Sequence, residues 1–77
     1  MTLEQVLIGK TYIVDNVHIH GTMKQRLEAL GMIQGTSIVV LSRKKNGTLI
    51  YKMRGTRYAA GKGIAQKVEV IEGDYDV

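Results

Sequence analysis

A chain of 77 residues without a cysteine has no room for a large multi-residue active site, and it excludes both a disulfide framework and a thiolate metal centre. The opening MTLEQVLIGK lacks a charged leader followed by an apolar run, and no later window is long and apolar enough to cross a bilayer. One soluble domain over residues 1–77, in a reducing cytoplasm, is therefore expected. The net charge of +4 is unevenly spread: Arg43 to Lys67 contains eight lysines or arginines and no acid, whereas four of the seven acids fall in the last nine residues, an acidic tail from about residue 72.

Proline is absent, so glycine does the punctuating. Thr2 with Gln5 three residues later reads as a weak capping box, which predicts a helical turn over Leu3–Leu7 ending near Gly9. TYIVDNVHI is rich in β-branched and aromatic residues and reads as a strand, with a bulge or bend at Asp15 and Asn16. In TMKQRLEALGMIQGTSIVVL, Thr22 is placed to cap a helix, with Gln25 at the reciprocal position. Met23, Leu27 and Leu30 recur at helical spacing as its buried stripe. Gly31 stands where a left-handed residue ends a helix, with Met32 beyond it able to touch Leu27, and Gly35 suits the third position of a type II turn.

SIVVLS then reads as a strand, and Asn46-Gly47 as the two-residue type I′ turn of a hairpin. Counting outward from that turn pairs Lys45 with Thr48, Arg43 with Ile50 and Val40 with Met53. Ile38, Val40, Leu49, Tyr51 and Met53 then line the core, opposite Arg43, Lys52 and Arg54. Gly55 allows a corner, RYAA a short strand, GKGIAQ a turn or a single helical turn, and KVEVI a closing strand. Five short strands and one helix, closely spaced, point to a mainly β domain bent into a small barrel, since closure removes exposed edges.

The run RLEALGMIQGTSIVV, the hairpin after it, RGTRYAA and AQKVEV together resemble the FeoA family of bacterial ferrous-iron uptake, over Leu3 to Val70. Ile8 and Gln34 stand where family members often carry proline, and AGKGIAQ is poorer in charge than the family's usual short helix. The resemblance implies a five-stranded SH3-like barrel with an inserted helix. It also implies an accessory protein that touches FeoB, the membrane transporter with a cytosolic GTPase domain, at the inner face of the membrane. The SH3-like domain of iron-dependent repressors looks similar; it follows a DNA-binding segment, and the start at Met1 favours FeoA.

The residue inventory argues against an enzyme. GKG at Gly61–Gly63 lacks the spacing of a phosphate loop, Ser37 and Ser42 have no His and acid placed to activate them, and no cofactor is expected. His18 and His20, two apart in a strand, could share one side as weak metal candidates, or stand as solvent-facing histidines. A basic hairpin of Arg43, Lys44, Lys45, Lys52 and Arg54 could meet RNA phosphates, but the chain has no Phe or Trp for base stacking, which counts against nucleic acid. The expected partner surface is a cleft beside the helix framed by Leu30 and Met32, with Arg26, Arg54, Arg57 and Tyr58 at its edges; Leu30 and Met32 equally suit the core.

Overall fold

The computed structural model describes residues 1–73, so Asp74 and Asp76 of the acidic tail lie outside the described residues. Five antiparallel strands and two helices follow in the order β1 (Thr11–Val17), α1 (Gly21–Leu30), β2 (Ser37–Arg43), β3 (Leu49–Met53), β4 (Thr56–Ala60), α2 (Lys62–Ala65) and β5 (Val68–Glu72). Their order across the sheet is β4-β3-β2-β1-β5. One side of this bent sheet buries Tyr12, Val14, Ile38, Val40, Leu49, Tyr51, Met53, Val68 and Val70 in the core. Val14 and Val70 face each other across β1 and β5, and the expected irregularity follows, between Val14 and Asn16.

The barrel is not closed by strand pairing. β4 and β5 are the two ends of the sheet, and α2 follows β4, burying Ala65 in the same core as Ala60 and Val68. The N-terminal residues cover β5 on its outer edge: Leu3 N–H donates to the Val68 carbonyl at 3.0 Å, and Val70 N–H to the Met1 carbonyl at 2.7 Å. This covering protects an otherwise open edge. Leu3 and Val6 are thereby carried into the core. Gln5 Oε1 accepts from Thr2 N–H at 2.9 Å, the reciprocal half of the expected capping box, yet Leu3–Glu4 form only a turn and no helix follows.

The main hairpin departs from the expected register. Arg43 pairs with Leu49 and Ser42 with Ile50; after a bulge at Leu41, Val40 pairs with Tyr51 and Ile38 with Met53. Asn46 keeps a negative φ and its Oδ1 accepts from Thr48 N–H at 3.0 Å, while Gly47, at φ +92, donates to the Lys44 carbonyl at 2.9 Å. The result is a type I turn extended by a glycine bulge, with three loop residues in place of two. The bulge at Leu41 restores the sidedness, so the five expected core residues are all buried. Arg43, however, moves to the side of Leu49, and its guanidinium donates to the carbonyls of Val6 at 3.2 Å and Leu3 at 3.5 Å. The two-residue I′ turn lies instead at Arg54-Gly55, with φ of +55 and +80 between the paired Met53 and Thr56.

Leu27 is the one residue of α1 that is fully in the core, at 7% exposure. Leu27→Ala should therefore lower the unfolding free energy by roughly 2–5 kcal/mol, as a core truncation does, with the loss read from urea denaturation.

Candidate partner-docking site

α1 leaves β1 through His18–His20 and a corner at Gly21, where φ is +73. The N-cap is His20, without a side-chain cap, so the helix starts before Thr22 and the expected capping box is not used. Lys24, Leu27 and Gly31, spaced i, i+3 and i+7, mark the least exposed side of the helix and its stop: Lys24 is half-buried and the other two are buried. That line is rotated away from the expected stripe. Met23 and Leu30 lie at its rim, 40% and 48% exposed.

The helix ends as its sequence requires. Gly31 is left-handed (φ +106), Met32 N–H donates to the Leu27 carbonyl at 2.9 Å, and Gly31 N–H donates to the Glu28 carbonyl at 3.0 Å, the paired bonds of a Schellman stop. Thr36 Oγ1 donates to the Gly31 carbonyl at 2.9 Å. Thr36 N–H closes the turn on the Ile33 carbonyl at 3.1 Å, with Gly35 at φ +93 in the expected third position. Two bonds then tie this turn to Val14 of β1: Gly35 N–H donates to the Val14 carbonyl at 2.8 Å, and Val14 N–H donates to the Thr36 carbonyl at 2.9 Å. Between helix and strand, the N–H groups of Gly31, Met32, Ile33, Gly35 and Thr36 all donate to backbone carbonyls.

Of the six residues expected at a partner surface, the structure gathers three. Arg26 and Leu30 are exposed one helical turn apart, and the Arg54 guanidinium lies over Gly31, so close that a Cβ there would sit 3.1 Å from its Nε. This places a cation at the carbonyl end of α1, where the helix dipole favours it. Met32 is not part of the surface: it is 1% exposed, because the Schellman turn drives it inward. Tyr58 is half-buried against the core and stacked on Tyr51, with ring centroids 5.7 Å apart. Burial, with Tyr58 adding, pushes the Tyr51 phenol up to about 12. Arg57 is exposed on the outer side of β4, opposite Lys52.

Sequence reading missed Ile33, 43% exposed beside the junction. Its only signal was its place just after the helix stop, where one of two successive apolar residues must face out. A groove of about 280 Å³ runs from there between α1 and the β1 bulge, lined by Asp15, Asn16, Lys24, Glu28, Ile33 and Gln34 among others. The basic hairpin does not form one track. Arg43 is engaged by backbone carbonyls, Arg54 by the helix end, and Lys52 faces outward.

The histidines are not paired on a strand, because β1 ends at Val17. Both are exposed around the buried Ile19, and the Nε2 of His18 is joined to Glu69 Oε1. Among the described residues no group of three His, Cys, Asp or Glu could hold a metal ion. The His18 hydrogen bond and charge hold the Glu69 carboxyl below its ordinary value. A carboxyl depressed in the folded state stabilises it above the ordinary carboxylate range, and that contribution is lost as pH falls through the lower folded value. His18→Gln should move the Glu69 titration midpoint upward, read from its side-chain carbon shifts. Separately, Gly31→Ala should cost roughly 1–2 kcal/mol from left-handed strain, with Arg54 displaced, as urea denaturation would report.

The chain is 31% identical over 67 residues to a Methanocaldococcus jannaschii protein named "Putative Fe(2+) transport protein A", covering 87% of this chain and 80% of that one. Stenotrophomonas maltophilia FeoA, solved with zinc and described as an SH3 domain protein, superimposes at a TM-score of 0.77 with 25% identity, over 91% of this chain and 88% of that one. The iron(II) transport protein A of Clostridium thermocellum matches at a TM-score of 0.86 and 19% identity over 94% of this chain, which spans only 45% of that protein's length. The repressor ScaR shares the fold, at a TM-score of 0.82 and 24% identity, over 94% of this chain and 35% of that one. Five antiparallel strands with an inserted helix thus form an SH3-like fold, and with the FeoA domain model matching residues 1–72, the chain belongs to the FeoA family.

Proposed function

We propose that this chain is an accessory protein of bacterial ferrous-iron uptake that works at the cytoplasmic face of the membrane by contact with the FeoB transporter, and catalyses no reaction itself. Family membership supports the iron-uptake setting, and the Stenotrophomonas relative is described as a candidate activating factor of ferrous iron transport. No helix among the described residues is long and apolar enough to cross a membrane, so contact with a membrane transporter would be made from outside the bilayer.

The observation that carries the reading is the junction after α1. Leu30 and Ile33 are exposed aliphatics held by the hydrogen-bonded helix stop and turn, with Arg26 and Arg54 at their rim. A surface already fixed in place loses little conformational entropy on binding. Such a surface needs no chemistry of its own: it can hold one segment of the transporter's GTPase domain in position.

Tagged protein incubated with membranes should retain a FeoB-type transporter at both low and high salt and after nuclease treatment. Retention of RNA alone, lost with nuclease, would sink the proposal. Leu30→Asp and Arg26→Glu should each weaken transporter retention while shifting stability by no more than about 0.5 kcal/mol, as exposed substitutions do.

A further inference from the structure

We infer that the outer face of the sheet is a second docking surface, which takes a short acidic amphipathic helix of a protein partner along the stripe Ile71, Ile13, Val39, Leu41 and Ile50. The solvent side of an antiparallel sheet is ordinarily polar. Here the register lines up aliphatic side chains on it instead. Ile71 faces Ile13 across β5 and β1, Val39 stands two residues beyond Ile13's partner Ser37, and Leu41 is the extra residue of the β2 bulge, before Ser42 which faces Ile50. None of the five belongs to the core. Ile71 is 53% exposed and the other four are half-buried between their strand neighbours.

Charge selects the occupant. Lys52, opposite Val39, and Arg57, opposite Lys52, continue one row of this face, and both are exposed without an ion pair among the described residues. The carboxylate on the same side of β5, Glu69, is engaged by His18. An apolar stripe bordered by free cations complements an apolar stripe bordered by acids. A second copy of this chain fits poorly, since a two-fold contact would bring the Lys52–Arg57 rows toward each other. An anionic lipid surface fits poorly too, because only Ile71 protrudes enough to enter it. The stripe crosses four strands, about 14 Å at about 4.8 Å per strand spacing. That matches roughly ten residues of helix at about 1.5 Å each.

This face shares no residue with the surface proposed for the transporter, so the two can fail separately. The test uses the full chain, labelled with ¹⁵N, and a synthetic helical peptide of about twelve residues with leucines on one face and glutamates flanking them. Amide shifts should centre on Ile13, Val39, Leu41 and Ile71, and a control peptide with lysines for the glutamates should not bind. Ile71→Glu and Lys52→Glu should each weaken binding roughly tenfold; Lys52, being exposed, keeps the test valid if Ile71→Glu misfolds. Shifts confined to α1 and the β3–β4 turn, equal binding of the lysine peptide, or unchanged affinity in Lys52→Glu would overturn the inference. So would sedimentation with phosphatidylglycerol vesicles, or dimerisation, by a chain that ignores the acidic peptide.

Discussion

The left-handed turn at Gly31 is the constraint on which the arrangement of the surface depends. It ends α1 with two backbone bonds, sends Met32 into the core and leaves Leu30 and Ile33 on either side of that buried anchor, facing out. Because α1 is held to the sheet by little more than Leu27 and this junction, its orientation is set at its C-terminal end. The N-terminal end has no side-chain cap and turns on Gly21. Arg54 reinforces the same point from the other side of the molecule's sequence, brought there by a tight turn that puts a non-glycine residue at positive φ. A left-handed arginine is energetically unfavourable, and its contact with the helix end is the compensating interaction.

A second economy concerns edges. Five strands of five to seven residues cannot wrap fully, and the sheet leaves β4 and β5 as its ends. The first three residues cover β5, Arg43 holds the following carbonyls, Tyr12 accepts a bond from Leu7 N–H at 2.9 Å through its hydroxyl, and α2 follows β4 into the same core. One consequence is that basic character does not equate to a binding track: Arg43 counts in the charge total but is committed to the backbone. Lys52 and Arg57, by contrast, are exposed on the outer face of β3 and β4, with aliphatic residues nearby on the same face.

Much of the fold was legible in local pattern. The five strands, the helix, its glycine stop, the turn at Gly35 and the core face of the hairpin all follow from residues close in sequence, because period-two alternation and positive-φ requirements are properties of a few consecutive residues. The family resemblance covered the same region that carries those signals. The candidate site was less legible. Leu30 and Met32 were read alike, as suiting either a cleft edge or the core; the structure exposes Leu30 and buries Met32, because the chain reverses direction between them.

Sequence alone determined that the chain would be mainly β with one glycine-terminated helix, since side-chain alternation and the absence of proline leave few other patterns. What only the tertiary structure decided was rotation and register: which of Met23, Leu27 and Leu30 faced the sheet, whether Asn46 used its side chain or its backbone to turn, and on which side Arg43 emerged. A single bulge at Leu41 or a few tens of degrees of helix rotation changes those outcomes without altering any local preference, so packing against distant strands settled them.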